Sequence, residues 1–373
     1  IIDVNPPVKL KKGESYPFID IDKVSPTRRS VTNEEVKVYD GQSSSKFCDG
    51  DTVFSRITPC LENRKIAKVA IEGDAAFGST EFYVFRAKKK KADARFTYYL
   101  TSSDAVVLPA INSMTGASGR QRADKRFIQR LKLNLPDLPT QERIADILSA
   151  YDDLIEANNH RIELLEQTAQ ELYREWFVRF RFPGYENAKF EDGIPEGWSY
   201  VRFGKAIDII DGDRGVNYPK QEEFYPEGDC LFLNAGNVTS KGFNFSACSY
   251  ITKEKDSILR KGKLQHGDVV LTTRGTVGNV AFYNETMTFS EMRINSGMVI
   301  LRNLGVVSPE YIYTSLHHEY LQKLMTMYAS GSAQPQLPIK DMKRMKIIKP
   351  DAKTMERFTE MSADIYNQIS LLI

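Results

Sequence analysis

The chain has 373 residues, 41% hydrophobic and 27% charged, with a formal net charge of +2. That is globular composition, long enough for two or more domains with real cores, and no apolar run approaches the length of a membrane span. Cys48, Cys60, Cys230 and Cys248 lie far apart with no Cys-x-x-Cys pair, which argues against a disulfide framework or a zinc finger and fits a reducing, cytoplasmic setting.

Residues 1–130 mix short apolar runs with turn residues. The pattern predicts strands at Thr52–Ile57, Ile66–Ile71 and Glu81–Arg86, and a short helix over Ala94–Thr101. Elements in this order make an α+β domain, not an alternating βαβ one. From Thr140 to Phe182 the period becomes helical. Thr140 after Pro139 reads as the N-cap, and Pro183-Gly184 as the stop. Apolar residues fall in two heptad columns: Leu148, Ile155, Ile162, Ala169, Trp176, and Ile144, Tyr151, Asn158, Leu165, Leu172. Such a pattern is a coiled-coil signal, and a helix of this length extends roughly 60 Å at about 1.5 Å per residue. Asn158 in the seam would fix register.

A second turn-rich domain follows, opening with Ile194-Pro195-Glu196-Gly197-Trp198. Its Gly267-Asp268-Val269-Val270-Leu271-Thr272-Thr273-Arg274 echoes Gly50-Asp51-Thr52-Val53-Phe54-Ser55-Arg56, which makes Arg274 the expected counterpart of Arg56. One helix is predicted from Pro309 to Met327. A longer repeat then appears. Arg130–Arg143 reads RLKLNLPDLPTQER, and Arg344–Arg357 reads RMKIIKPDAKTMER, aligned without a gap. A constant offset over more than half the chain means two similar units in tandem. The second joint leads into a helix from Thr354 whose seam is Phe358, Ser362, Ile365, Ile369 and Leu372. A lone amphipathic helix cannot bury its stripe, so the two joint helices are expected to pack antiparallel, with a domain at each end.

These features together resemble the specificity subunit of type I restriction–modification systems. The resemblance rests on the strand openings GDTVFSRITPC and GDVVLTTRGTVG, and on the glycine-rich segments TGASGRQRADK and ASGSAQPQLPIKD. It also rests on the helix start LPDLPTQERIADIL, the PEGW opening and the helix end ELYREWFVRFRFPG. Each motif is weak alone; their order, repeated twice, is specific, and it covers essentially the whole chain.

The resemblance implies two tandem target-recognition domains separated by an antiparallel two-helix coiled-coil spacer, related by a pseudo-two-fold repeat. The expected division is 1–138, 139–183, 184–352 and 353–373. Each domain would read one half of a bipartite, asymmetric site on double-stranded DNA. The spacer would bind two methyltransferase subunits, and a translocase/nuclease subunit would join for restriction. This chain would bind no cofactor and catalyse nothing; S-adenosylmethionine, ATP and Mg would sit on the partners. Against the family's pattern, the first domain looks clipped at its N-terminus and the distal helix looks short. Part of the central seam, from Leu165 to Trp176, is then left without an internal partner, open to another copy of the chain or to a longer distal helix.

The net charge alone argues nothing about nucleic acid, but its distribution does. Arg120, Arg122, Lys125, Arg126 and Arg130 are clustered, and five cations lie between Lys340 and Lys349 against one Asp341. Reading bases in the major groove needs long planar donors, and glycine-rich loops can aim them. The candidate contacts are therefore Arg56, Arg120, Arg122, Lys125, Arg274, Thr276, Gln334 and Gln336, with Arg64 and Arg214 as further loop positions. Lys88–Lys91 reads as a solvated turn.

Three competing chemistries are weaker. Asn5-Pro6-Pro7-Val8 lacks the aromatic residue that an amino-methyltransferase motif needs to stack a flipped base. Pro350-Asp351 with Glu356 lacks the lysine of a nuclease set. A coiled-coil scaffold with two protein-binding domains is the remaining alternative, and it predicts no DNA affinity at all.

Overall fold

The computed structural model of the chain describes residues 1–372 apart from 27, 33–34, 118 and 332–333. It forms two compact units, Ile1–Asn158 and Asn159–Ile373, and the division falls inside one long helix. The first unit holds β1 (Ile2–Val4), β2 (Ser15–Ile19), β3 (Ser30–Thr32), β4 (Glu35–Val38), β5 (Ser45–Phe47), β6 (Thr52–Ser55), β7 (Ile66–Ala70), β8 (Ala76–Gly78) and β9 (Phe82–Ala87). Its helices are α1 (Ala94–Ser102), α2 (Asp104–Asn112), α3 (Lys125–Gln129) and the start of α4 (Leu138–Tyr173).

The strands form two sheets, ordered β1-β9-β6-β7-β3 and β4-β2-β8-β5. All four residues of β6 are buried, because both faces of its sheet are covered. The two-residue period sends Val53 and Val84 into one apolar cluster with Val24 and Phe47. It sends Phe54, Tyr83 and Phe85 into another with Val106, Val107 and Ile128 of the helices.

The second unit begins with the rest of α4 and continues through β10 (Phe190–Glu191), β11 (Ile194–Pro195), β12 (Ser199–Arg202), α5 (Phe203–Ala206), β13 (Ile207–Asp211), β14 (Cys230–Leu233), β15 (Val238–Thr239), β16 (Gly242–Phe243), β17 (Tyr250–Ile251) and α6 (Lys253–Ile258). It ends with β18 (Asp268–Thr272), β19 (Val280–Tyr283), β20 (Met292–Ile294), β21 (Met298–Asn303), α7 (Pro309–His317), α8 (Glu319–Tyr328), α9 (Ile339–Met342), β22 (Lys346–Lys349) and α10 (Ala352–Leu372). Its main sheet runs β13-β21-β18-β19, the counterpart of β1-β9-β6-β7 in the first unit. The repeat seen in the joints therefore extends to the sheets, and the fold is mixed α+β.

Three expectations need correction. The predicted single helix from Pro309 to Met327 is two helices, because His318 is extended (ψ 138°) and caps α8 by accepting from the Tyr320 amide. The helix expected to run to Phe182 ends at Tyr173 and passes into a π-helical turn, Arg174–Val178, within which the neighbours Trp176 and Phe177 are both buried. The cap of α4 is Asp137, not Thr140. Its Oδ1 accepts from the Thr140 amide at 3.2 Å, with Leu138 and Pro139 already in the first turn. Asp351 does the same for Thr354 at 3.0 Å, so the repeated Pro-Asp-x-x-Thr is a helix start made twice.

A candidate nucleic-acid interface

Both units build the same corner from the same parts. The aspartate of each Gly-Asp strand opening is almost fully buried, Asp51 at 2% exposure and Asp268 at 1%. Arg86 donates Nε and Nη2 to the two Asp51 oxygens at 2.7 and 2.6 Å; Arg302 grips Asp268 at 2.8 and 2.7 Å. The same carboxylates accept the Cys48 and Gln265 amides at 2.7 Å. A buried carboxylate needs strong partners, and the bidentate clamp with the amide supplies three hydrogen bonds to each. The Gly-Asp motif therefore serves the frame, fixing the start of the central strand.

The far end of that strand meets a glycine hairpin. In the first unit Thr115 and Arg122 exchange backbone hydrogen bonds, Ala123 donates to the Arg56 carbonyl at 2.8 Å, and Thr58 donates to the Gln121 carbonyl. In the second unit Ser330 and Gln336 exchange the same pair, Leu337 donates to Thr273 at 2.9 Å, and Gly275 donates to Pro335. The glycines at the start of the hairpins have positive φ, 128° at Gly116 and 100° at Gly331. A Cβ would stand 3.2 Å from the Arg120 carbonyl or 2.9 Å from that of Gln334, so glycine is required in both.

These registers correct one expectation. Ile57 bridges Arg122 in the first unit, and Arg274 bridges Gln336 in the second. The counterpart of Arg274 is thus Ile57, and that of Arg56 is Thr273; Arg122 corresponds to Gln336. Counted without a gap from the two Gly-Asp pairs, the arginine stands one place later in the second motif.

In the first unit the side chains converge on Glu81. Arg122 donates Nη2 to Oε1 at 2.7 Å and Nε to Oε2 at 2.9 Å, while Arg56 donates Nε to Oε2 at 3.1 Å. Arg56 also lies over the Tyr83 ring, 5.5 Å from its centroid, and the Tyr83 hydroxyl is fixed by the Ala123 carbonyl at 2.7 Å. The Arg122 hydrogen bonds hold the Glu81 carboxyl below its ordinary pKa; partial burial opposes this and the Arg56 charge reinforces it. An open cleft of about 420 Å³ borders Arg56 and is lined by Lys46, Ser43–Ser45 and the Asn5-Pro6-Pro7-Val8 segment. Asn5 is used structurally: its Oδ1 accepts the Val84 amide at 2.8 Å.

The same place in the second unit carries no carboxylate. Gly297 stands where Glu81 stands, since Arg56 donates its amide to the Glu81 carbonyl and Thr273 donates to Gly297, both at 2.9 Å. Gln336 is exposed, and the Nε of Arg274 is buried without a partner among the described residues. Arg214 joins this edge by donating to the Ser296 carbonyl at 3.2 Å and to Asp211 at 3.1 Å. Thr276 and Gln334 are exposed in the adjoining loops, as Arg120 is in the first hairpin, and Lys125 is half-buried in the first turn of α3. Arg64 is elsewhere: it is tied to the Ser102 carbonyl and Asp104 at the α1–α2 corner. Glu81 was not foreseen. An acidic residue opening an apolar strand gives no pattern, and its meaning comes only from two arginines distant in sequence.

The helix columns divide by unit. In the first, α4 docks through its polar face: Gln141, Ala145 and Ser149 are buried, Tyr99 donates to Asp152 at 2.6 Å, and Arg95 pairs with Asp146 at 2.7 Å. Its apolar face is open, with Leu148, Tyr151 and Ile155 exposed beside Ile147 and Leu154, and Ile144 and Asn158 half-buried. In the second unit Ala169 and Trp176 are buried, Ile162, Leu165 and Leu172 pack on the same core, and Phe358, Ile365 and Ile369 of α10 join it. Phe358 meets Tyr173, Trp176 and Phe177, and Trp198 of the PEGW opening donates to Asp351 at 3.0 Å.

The sequence profile described as the type I restriction modification DNA specificity domain matches residues 5–167 and again 195–371. The chain belongs to this family. The Type I restriction enzyme MjaVIII specificity subunit of Methanocaldococcus jannaschii is 26% identical over 270 residues, covering 70% of this chain and 61% of the relative. The HindI specificity subunit of Haemophilus influenzae is 32% identical over 148 residues, 39% of this chain and 31% of the relative. The alignments thus span 61% and 63% of the two Methanocaldococcus relatives MjaVIII and MjaIX. In architecture the chain is similar to the crystal structure of the type I restriction–modification S subunit from M. genitalium, with TM-score 0.54 and 13% identity over 100% of this chain and 87% of that one. Among the described residues no helix is long and apolar enough to cross a membrane.

Proposed function

We propose that this chain is the DNA sequence-specificity subunit of a type I restriction–modification assembly, and that each unit reads one half of a bipartite, asymmetric site. The observation that carries this is the duplicated corner: one backbone frame, built twice, holding Arg56, Glu81 and Arg122 in one copy and Thr273, Arg274 and Gln336 in the other. Arginine pairs bidentately with guanine and glutamine with adenine, so the same frame carries two different half-site readers. A protein-binding scaffold has no use for this arrangement of planar donors on glycine hairpins.

The remaining roles follow in this reading. Residues 139–183 and 353–373 act as the two-helix coiled-coil spacer that sets the gap between half-sites. The exposed stripe of α4 is the surface for two methyltransferase subunits, or for self-association. The translocase/nuclease subunit joins that core. Chemistry stays on the partners, where S-adenosylmethionine, ATP and Mg are used, and this chain itself is not an enzyme. Genome-wide methylation mapping in cells carrying the full system tests the proposal. A bipartite methylated motif that disappears when this gene is deleted is the expected result; a motif that survives the deletion contradicts it. DNA binding by the assembly should also fall steeply with salt, because phosphate contacts release counterions.

A further inference from the structure

The reading heads differ most at one position, and that position is a carboxylate. Glu81 accepts hydrogen bonds from two arginines, whose outer N–H groups are left over. Arg122 spends Nε and Nη2 on Glu81, and its Nη1 makes one long contact of 3.5 Å to the Arg120 carbonyl. Arg56 spends only Nε; its two Nη groups have no partner among the described residues. A guanidinium has two edges that can make paired hydrogen bonds. With the Nε side held on a carboxylate, the Nη end remains as a donor pair of fixed direction. That is the geometry a guanine O6/N7 edge accepts.

The second unit shows that this carboxylate is not needed to build the corner. Gly297 occupies the same place, and its carbonyl accepts the Thr273 amide as that of Glu81 accepts the Arg56 amide. The frame aspartates Asp51 and Asp268, by contrast, are present in both units and are nearly fully buried, whereas the Glu81 side chain is 20% exposed. The carboxylate therefore answers a demand of the first head alone. Two arginines side by side without it would repel each other and would swing freely onto phosphates, which carry no sequence information.

We propose that Glu81 is a specificity-determining positioning residue of the first head: it buttresses Arg56 and Arg122 so that their free edges read guanine. This rests on the DNA-recognition reading above. The same reasoning makes Glu81 a brake on non-specific binding, since it cancels one of two positive charges at the edge.

The test is selection from a randomised DNA duplex library by the full chain assembled with its methyltransferase partners, wild type beside Glu81→Gln. The wild type should enrich a bipartite motif with guanine in one half-site. In Glu81→Gln the guanine preference at that half-site should fall by roughly tenfold or more, the scale of one bidentate contact, while the other half-site keeps its logo. Binding to a duplex lacking the motif should stay level or rise, and its salt dependence should steepen by about one phosphate contact. A residue that only supported the fold would lower both kinds of binding and would not steepen the salt slope. Should Glu81→Gln fail to fold, Glu81→Asp keeps the charge with a shorter reach, and an intermediate loss confined to the same base is expected. Unchanged guanine preference in whichever variant folds, or equal loss in both half-sites, overturns the role of Glu81. A wild-type assembly that enriches nothing overturns the DNA reading itself.

Discussion

Beside the glycine hairpin of the first unit stands Arg122, clamped with Arg56 on Glu81; at the same bridge of the second unit stands Gln336, with Thr273 and Gly297 in the other two places. The backbone hydrogen bonds that join strand, hairpin and neighbouring strand correspond in the two corners, and so do the clamps Asp51–Arg86 and Asp268–Arg302. What is shared is therefore buried and serves the frame. What differs runs from the buried Thr273 position out to the exposed hairpin, and it is this side that the proposed function assigns to recognition. A duplicated domain can diverge in what it reads without altering how it folds, provided the change stays on the hairpin side of the strand.

The largest effect expected is on the shared frame. Asp51→Ala or Asp268→Ala leaves a clamped arginine without its carboxylate. The cost should be about 2–3 kcal/mol, below the usual value for a broken buried pair, because Arg86 and Arg302 keep 31% and 28% exposure. Hydrogen exchange should show the loss confined to strands of the altered unit. Equal loosening of both units would break the view of two separate frames.

Next come the readers. Arg122→Ala should weaken discrimination at one half-site by roughly tenfold, and Gln336→Ala at the other by a similar factor. Arg274→Ala should act on the same half-site as Gln336→Ala, since the two are bridged. Competition binding with duplexes mutated in one half at a time decides this; both half-sites responding to one variant would contradict the division.

The joints give a smaller contrast. Asp137 and Asp351 each cap the threonine three residues on, and Asp351 in addition holds the Trp198 indole. Asp351→Ala should cost about 1–2 kcal/mol in urea unfolding, and Asp137→Ala less. Burial would raise the Asp351 pKa, but the Thr354 and Trp198 hydrogen bonds win and lower it. Its contribution is thus complete above the unfolded value of about 4 and is lost as pH falls through the lower folded value. The gap between wild type and Asp351→Asn should narrow in acid; a gap that widens there would reverse the sign. Smallest of all is Arg64→Ala, which should leave DNA discrimination untouched, because Arg64 is held at the α1–α2 corner.

Much of this was legible in the sequence where the signal was local or repeated. The joints, the Gly-Asp openings and the glycine hairpins could be read because each occurs twice. The reading failed where a distant partner decides the meaning. Nothing near Asp51 announces Arg86, and nothing near Glu81 announces Arg122. It also failed where a likeness of residue type overrode the count: taken without a gap from each Gly-Asp pair, Arg274 falls at the place of Ile57, and the bridges agree. Thr140 looked like a cap because threonine after proline often is one, but proline fits the first turn of a helix and the cap moved back to Asp137.

The most direct test of the comparison is to transplant the edge. A chain carrying Thr273→Arg, Gly297→Glu and Gln336→Arg has the first head's triad on the second head's frame. Selected from randomised duplexes beside the wild type, it should give a second half-site that acquires the guanine preference of the first, with the first half-site unchanged. A folded triple variant whose second half-site keeps its original base at that position would contradict the account.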